Sequence, residues 1–549
     1  MLLWPESALP AFARLFLIWL GVLSAVLFAL YAWARCKLPA PGHAGYRRRG
    51  GASTSSSPSS SPSSAQPTTV GFFHPFANTA GGGERVLWCA IKALEEQHAC
   101  DPARPYHVLV YTGDNDATPE DILARAEGRF GIAFTGAMPI EFVYLQKRDW
   151  ILASGYRRFT LLGQSLGSVV LAFEALQLAL PDVFVDSTGF AFTYPLAKFV
   201  GGCRVVTYTH YPTISTDMLK MVFSRRPSYN NDAAVAGSTF ASGIKYVYYW
   251  IFAGMYRFAG KFADLVMVNS TWTYGHIASL WGGEATHIVY PPCDVEGMAK
   301  FPLDDVGRNK RKLFISIGQF RPEKDHALQL RAVHALLERY GGEEGNRDAL
   351  SQVRLFLIGS CRDDGDRARV EKLRALVQEL DIGKYVEFKL NAPYADLCRW
   401  LSEATAGLHT MWNEHFGIGV VEMQTAGCVP IAHNSGGPKA DIVVPLYVKR
   451  SEDGPEIAVP SGLRAETPED YADAMAYILG LENISEQRLP EWARGGDGRK
   501  WSPLEMREAG RKGAERFSET RFKNAFKSLT EPVFSAVAPL LQTTVGQRN

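Results

Sequence analysis

The sequence predicts an α/β protein of two doubly wound, Rossmann-like domains behind an N-terminal transmembrane helix. Three observations predict it: an uncharged apolar run near the N-terminus, two successive series of short β-branched segments alternating with amphipathic stretches, and a proline- and charge-rich break between the series. A length of 549 residues leaves room for about three or four domains at roughly 150 residues each. At 46% apolar and 21% charged, the chain is too apolar for wholesale disorder. With a formal net charge of +1, no overall basicity points to nucleic acid.

Leu15 to Ala34 are 20 residues without a charge. At about 1.5 Å per residue they reach about 30 Å, the thickness of a bilayer core. Leu2, Leu3, Trp4 and Leu9 add apolar weight in front. Ala32-Trp33-Ala34 fits a signal-peptide cleavage pattern, but signal cores usually span about 7–15 residues with positive charge before them. Here Arg14 alone precedes, whereas Arg35, Lys37, Arg47, Arg48 and Arg49 follow. Positive-inside logic makes residues 1–35 a single-pass anchor and puts the body in the cytoplasm. Residues 36–68 read as a basic, Ser/Pro-rich flexible linker, since Ser53 to Ser64 contain only Ser, Thr and Pro. The first 68 residues hold six bases and one acid, so a +5 leader sits on a −4 body.

Val70–Phe73, Val108–Tyr111, Phe142–Leu145, Val183–Val185, Val205–Thr209 and Val266–Asn269 read as buried parallel strands of a first domain, residues 69–300. Leu313–Ile317, Leu355–Ile358, Val386–Phe388, Gly407–Thr410 and Val429–Ala432 form a second series, residues 301–516. Pro291-Pro292 and the charged stretch Asp304–Lys312 mark the break. Thr467-Pro468-Glu469-Asp470 is a helix start, with a cap, a first-turn proline and acids at the positive end of the dipole. Residues 517–549 make a closing helix, Phe517–Phe534, and a tail. Tyr246–Tyr256 is uncharged and aromatic and too short to span a bilayer; it reads as a core helix or as an interfacial surface. Eight scattered cysteines without a CxxC pair argue against a disulfide framework or a structural zinc site.

The densest chemistry lies in Asn413–Asp441, NEHFGIGVVEMQTAGCVPIAHNSGGPKAD. Phe416-Gly417-Ile418-Gly419 opens a helix whose free backbone N–H groups and dipole suit an anion. Glu414 stands just before that start and Glu422 about one turn inside it. An anion site flanked by two acids suits a sugar nucleotide, because carboxylates accept hydrogen bonds from sugar hydroxyls. An N-cap acid, a surface acid and glycines that serve only packing would read the same way.

Glu414 and Glu422 with FGIG between them, and Gly436-Gly437 beyond, resemble the E-x7-E signature of retaining GT4 glycosyltransferases of GT-B fold. HPFANTAGGGERVLW (His74–Trp88), THYPTIS (Thr209–Ser215), NSTW (Asn269–Trp272), VYPPCDV (Val289–Val295) and GQFRPEKDH (Gly318–His326) extend the likeness from Val70 to Phe534. Together they are similar to the GDP-mannose-dependent α-1,2-mannosyltransferases of dolichol-linked oligosaccharide assembly. The resemblance implies two Rossmann-like domains facing a cleft, GDP-mannose as donor and a trimannosyl dolichol-linked oligosaccharide as acceptor, extended by a fourth and fifth mannose. It also implies work at the cytosolic face of the endoplasmic reticulum membrane, a complex with other lipid-linked-oligosaccharide mannosyltransferases, and no metal cofactor. By position, Arg321 and Lys324 would grip the donor diphosphate, and Gly417, Ile418 and Gly419 with Phe416 would share that task through backbone amides. Glu414 would hold the mannose and Glu422 the ribose; His210 would contact the mannose or the transition state; Gly81, Gly82 and Gly83 would let the donor lie close to the backbone. The departing phosphate is usually described as taking the acceptor's proton in this family. A related GT4 enzyme with another donor or lipid acceptor is the nearest alternative.

Asp114-Asn115-Asp116 and Asp364-Gly365-Asp366 have the D-x-D form of metal-dependent transferases, but both follow predicted strands and read better as turns. Asn269-Ser270-Thr271 and Asn483-Ile484-Ser485 are glycosylation sequons, which a cytosolic body would leave bare.

Overall fold

The computed structural model describes residues 28–39, 67–79, 81–214, 239–304, 312–361, 363–449, 456–482 and 500–536, with backbone alone over 239–245. Residues 15–27 of the expected anchor, the Ser/Pro run and the Asn483 sequon lie outside them. Residues 28–36, the end of the expected span, are helical. The chain divides into two compact units: Met1–Tyr208 with Phe252–Val266 and Lys527–Asn549, and Thr209–Ile251 with Met267–Phe526.

The first sheet takes its strands from β1 (Thr68–Phe73), β2 (Tyr106–Thr112), β3 (Ile140–Tyr144), β4 (Val183–Asp186), β5 (Arg204–Thr209), β6 (Leu265–Val268) and β7 (Thr286–Ile288). Their order is β3-β2-β1-β4-β5-β6-β7, so the winding reverses between β1 and β4. Val70 sits opposite Val108 on one side and Val183 on the other, both in parallel register. Continuous apolar runs such as VLVY are the composition of strands covered on both faces. Helix α1 (Gly82–Cys100) covers one face through Val86, Leu87, Trp88, Ile91 and Leu94. Helix α2 (Thr160–Leu178) buries Leu171, Ala172, Ala175 and Leu176, and Trp33 stacks on its Phe173 at 5.8 Å. Among the described residues it is the one helix long and apolar enough to cross a membrane by length and composition, and its buried face packs into the core.

Helix α3 (Thr239–Gly260) resolves the aromatic segment into two faces. Phe252 and Tyr256 are fully buried, whereas Val247, Trp250, Ile251 and Phe258 are exposed. The segment therefore packs a core and also presents an apolar outer face.

The second sheet contains β8 (Leu313–Ile317), β9 (Arg354–Gly359), β10 (Val386–Leu390), β11 (Ala406–His409), β12 (Val429–His433) and β15 (Leu463–Ala465); β13 (Leu446–Lys449) and β14 (Glu456–Val459) form a separate hairpin. Its order is β10-β9-β8-β11-β12-β15, reversing between β8 and β11. In open sheets of this kind ligands bind outside the carboxyl ends of the strands at that reversal. Here that point is the loops after Ile317 and after His409. The flanking helices α4 (Thr271–Trp281), α5 (His326–Tyr340), α6 (Ile418–Thr425), α7 (Pro468–Leu479) and α8 (Pro503–Ala514) belong to this unit. Helix α7 starts as its sequence signals: Thr467 Oγ1 accepts the Asp470 N–H, with Pro468 in the first turn. The closing helix α9 spans Glu519–Ser535, with Phe522 and Phe526 buried.

Both D-x-D motifs are occupied by local structure. Asp114 accepts hydrogen bonds from Asn78 N and Thr112 Oγ1 and pairs with Arg148 at 2.5 Å. Asp363 caps the helix Asp364–Glu379, and Asp366 in its first turn is buried 3.7 Å from Arg369. Asn269, in the first sequon, is 5% exposed. Thr271 Oγ1 donates to Asp441 Oδ1 at 2.5 Å, and the Thr271 N–H to Oδ2 at 2.9 Å. All eight cysteines are free thiols.

Candidate active site

Two loops of the second unit meet at the β8/β11 reversal. The first runs Gly318–Asp325 and ends in a short 3-10 turn, Pro322–Lys324, after which Asp325 (φ 43°) caps α5 by accepting the Leu328 N–H. The second runs from Thr410 to Gly417, with positive φ at Asn413 (51°) and at the helix-opening Gly417 (112°). Asn413 N donates to Ser435 Oγ at 2.8 Å, and Gly437 N donates to the Glu414 carbonyl at 2.7 Å. These bonds explain Gly436-Gly437. A Cβ on Gly436 (φ 61°) would stand 2.2 Å from the Glu414 carbonyl oxygen, and one on Gly437 2.6 Å from the Phe416 backbone. The pair is bare because the Asn413–Phe416 backbone lies against it.

At the centre, Glu414 Oε2 receives Lys324 Nζ at 2.6 Å and His409 Nε2 at 3.2 Å, while Oε1 accepts the His415 N–H at 3.2 Å. Burial would push this carboxyl up; the Lys324 charge and the His409 hydrogen bond outweigh it and hold Glu414 far below the usual carboxylate range. Thr410 Oγ1, itself an acceptor from Gln329 Nε2, faces the carbonyls of Lys324 and Asp325 at 2.8 and 3.0 Å. The dipeptide His409-Thr410 at the end of β11 thus ties together the acid and the loop that carries the cation. Neither residue stood out in the sequence, since both read as the tail of an apolar strand. A polar pair at the carboxyl end of a strand beside the sheet reversal was the available signal.

His415 stacks on Tyr211 (5.2 Å between centroids, 19°) and packs against Trp272 at 5.1 Å; burial lowers its pKa, against the opposing charge of Glu414. His210, half-buried after β5, is the neighbour of that stacked tyrosine. Arg321 is brought to Glu323, at 3.9 Å, and is nearly half exposed. Of the two expected cations, Lys324 is therefore the one joined to Glu414. Phe416 is buried, with its ring edge-on to Phe517 at 5.2 Å. Gly417, Ile418 and Gly419 form the N-terminal start of α6, and Glu422 lies half-buried in its second turn. Glu422 contributes to the raised pKa of Tyr394, after burial and Cys398.

In the first unit, Gly81 caps α1, Gly81 and Gly82 are exposed and Gly83 is partly so. Glu84 holds the turn, accepting Gly81 N at 2.6 Å and Thr79 Oγ1 at 2.5 Å. Its other oxygen contact is His74 Nε2 at 3.4 Å, and His74 Nδ1 lies 2.8 Å from Ser187 Oγ. Burial opposes ionisation of Glu84, but His74 and Thr79 outweigh it and lower its pKa to about 2. The glutamate directly after three glycines was the sequence signal for this partner.

Residues 67–281 match the family model ALG11 mannosyltransferase N-terminus, and residues 304–488 match Glycosyl transferases group 1. The GDP-Man:Man(3)GlcNAc(2)-PP-Dol alpha-1,2-mannosyltransferase of Mus musculus is 47% identical over 84% of this chain and 86% of its own length. The Homo sapiens protein of that name is 46% identical over 85% and 87%. Among solved structures, OtsA (TM-score 0.55, 13% identity, 84% of this chain and 99% of that one) and a sucrose-phosphate synthase from Thermosynechococcus elongatus (0.53, 16%, 85% and 100%) share the fold, a GT-B-like arrangement of two parallel-sheet α/β units. With identity of this order across both units, the chain belongs to the family of GDP-Man:Man(3)GlcNAc(2)-PP-Dol alpha-1,2-mannosyltransferases.

Proposed function

We infer that this protein moves mannose from GDP-mannose to the trimannosyl dolichol-diphosphate-linked oligosaccharide, forming α-1,2 linkages with retention and adding the fourth and fifth mannose. The observation that carries this reading is the 46–47% identity to enzymes of that name over 84–85% of the chain. The site is chemically suited to it. Transfer expels a nucleoside diphosphate, and a fixed cation lowers the barrier by meeting charge as it develops. Lys324, with Arg321 and the backbone amides of Gly417–Gly419, is assigned to that diphosphate; Glu414 to the mannose hydroxyls; Glu422 to the ribose; His210 to the mannose or the transition state. Gly81, Gly82 and Gly83 offer exposed backbone to a substrate oxygen at the carboxyl end of the first sheet.

The same reading sets the protein at the cytosolic face of the endoplasmic reticulum membrane, held by residues 1–35. The bases that follow the apolar run support that orientation. The exposed outer face of α3, with Val247, Trp250 and Ile251, is suited to lie at the headgroups, close to a lipid-borne acceptor. A complex with other lipid-linked-oligosaccharide mannosyltransferases would keep the acceptor at this surface.

Detergent-solubilised protein is tested with GDP-mannose and UDP-sugars alongside the trimannosyl lipid. Two mannoses added from GDP-mannose alone, released by α-1,2-mannosidase, are expected. Transfer from a UDP-sugar, or none to this acceptor, would point to a related enzyme with other substrates. For membrane attachment, the full chain should stay with membranes through carbonate extraction, and a chain lacking residues 1–35 should be released in larger part.

A further inference from the structure

We propose that His409 is a positioning residue for Glu414, the donor that keeps this carboxylate aimed once Lys324 has been drawn to the substrate's diphosphate. The proposal rests on the reading of Glu414 as the group that holds the transferred sugar. In the structure one oxygen of Glu414 serves two cations or donors at once, Lys324 Nζ at 2.6 Å and His409 Nε2 at 3.2 Å. Their freedoms differ. Lys324 reaches Glu414 at the end of a four-carbon stem from a loop, and a diphosphate competes with Glu414 for its ammonium. His409 cannot follow. It is 6% exposed, its backbone is paired in β11 opposite Ala432 of β12, and its carbonyl accepts the hydroxyl of the fully buried Tyr471 at 2.8 Å.

The ring's own chemistry agrees with a donor role. His409 Nδ1 is buried and has no hydrogen-bond partner. A proton on Nδ1 would be stranded there, whereas one on Nε2 meets a carboxylate oxygen. The tautomer that leaves no buried N–H unmet is therefore the one that donates to Glu414. With Lys324 occupied elsewhere, the His409 N–H and the His415 backbone N–H are the two remaining described donors that fix the carboxylate, one on each oxygen.

The test uses full-length solubilised protein carrying His409→Gln, His409→Asn or His409→Ala, with Glu414→Ala as reference. A glutamine amide can stand where Nε2 stands; an asparagine amide reaches only the Nδ1 position, which faces nothing. His409→Ala and His409→Asn are expected to lower kcat about ten- to hundredfold, the worth of a charge-assisted hydrogen bond, with KM for GDP-mannose changed less than about threefold. His409→Gln should stay within about threefold of the parent kcat. GDP, titrated calorimetrically, should bind all three variants about equally. Equal activities of the Gln and Asn variants, or a near-parental His409→Ala, would overturn the proposal. Loss of GDP binding on substitution would also overturn it, since His409 would then shape the pocket and not the carboxylate. Should Glu414→Ala itself transfer mannose normally, the site reading fails; an inactive Glu414→Ala beside a normal His409→Ala sinks only the role of His409.

Discussion

Lys324 and Glu414 neutralise one another, and that pairing has measurable consequences. Glu414→Ala and Lys324→Ala each delete a contact to the reacting sugar or the departing phosphate. Each is expected to cut transfer by orders of magnitude, a few kcal/mol in the transition state, in a chain that still melts cooperatively. Near-parental turnover by either purified variant would refute the assignment. Glu414→Gln separates the two roles further. Removing the internal carboxylate releases Lys324 for phosphate, so GDP should bind more tightly while mannose transfer falls. Calorimetry that showed GDP binding weakened in this variant would contradict the competition.

At the scale of elements, the site depends on how closely β12's outgoing loop approaches the Asn413–Phe416 backbone. Gly437→Ala places a methyl group 2.6 Å from Phe416 Cα and should cost about 1–3 kcal/mol through overpacking, with transfer lost in proportion. Gly513→Ala, in a helix where an added Cβ meets nothing within 4 Å, should instead gain about 0.5–1 kcal/mol. Opposite shifts in melting temperature check both. The same elements show what a sequence discloses. Runs such as LVMV (β6) and LFISI (β8) were legible because a strand covered on both faces has no polar alternation to confuse it. The hairpin of β13 and β14 and the three-residue β15 were not, being short and partly exposed. Glu414, Glu422 and the glycines were legible as a pattern, and Gly436-Gly437 acquired their reason only from the backbone they touch. His409 and Thr410 stayed hidden because their partners are set by the loop folding back through Asn413, a conformation no local propensity announces.

Across the whole molecule, acid should act through the buried groups His326 and Glu84 over different ranges. His326, 3% exposed and stacked on Phe320, is held by burial, with Lys324 adding to it, at about 4 against an ordinary 6.5. The unfolded chain thus binds the proton first, and this contribution, about 3 kcal/mol at most, is present above pH 6.5 and lost as pH falls towards 4. Glu84 in the first unit, lowered to about 2 from 4.5, contributes above pH 4.5 and is lost only as pH falls from there towards 2. Melting curves across pH should be flatter between 6.5 and 4 for His326→Gln and flatter below 4.5 for Glu84→Gln; curves parallel to the parent's would refute the linkage. Transfer is expected to survive EDTA, and a complete loss restored by Mn²⁺ would count against the fold-based reading of the chemistry. The buried sequon carries a different kind of information. Because Asn269 is enclosed and the Thr271 hydroxyl is spent on Asp441, a sugar tree at this asparagine and the folded second unit exclude one another. Any carbohydrate found on Asn269 would therefore mark chains that met the attaching enzyme before folding and never closed this unit, so the tripeptide sorts chains by which event came first.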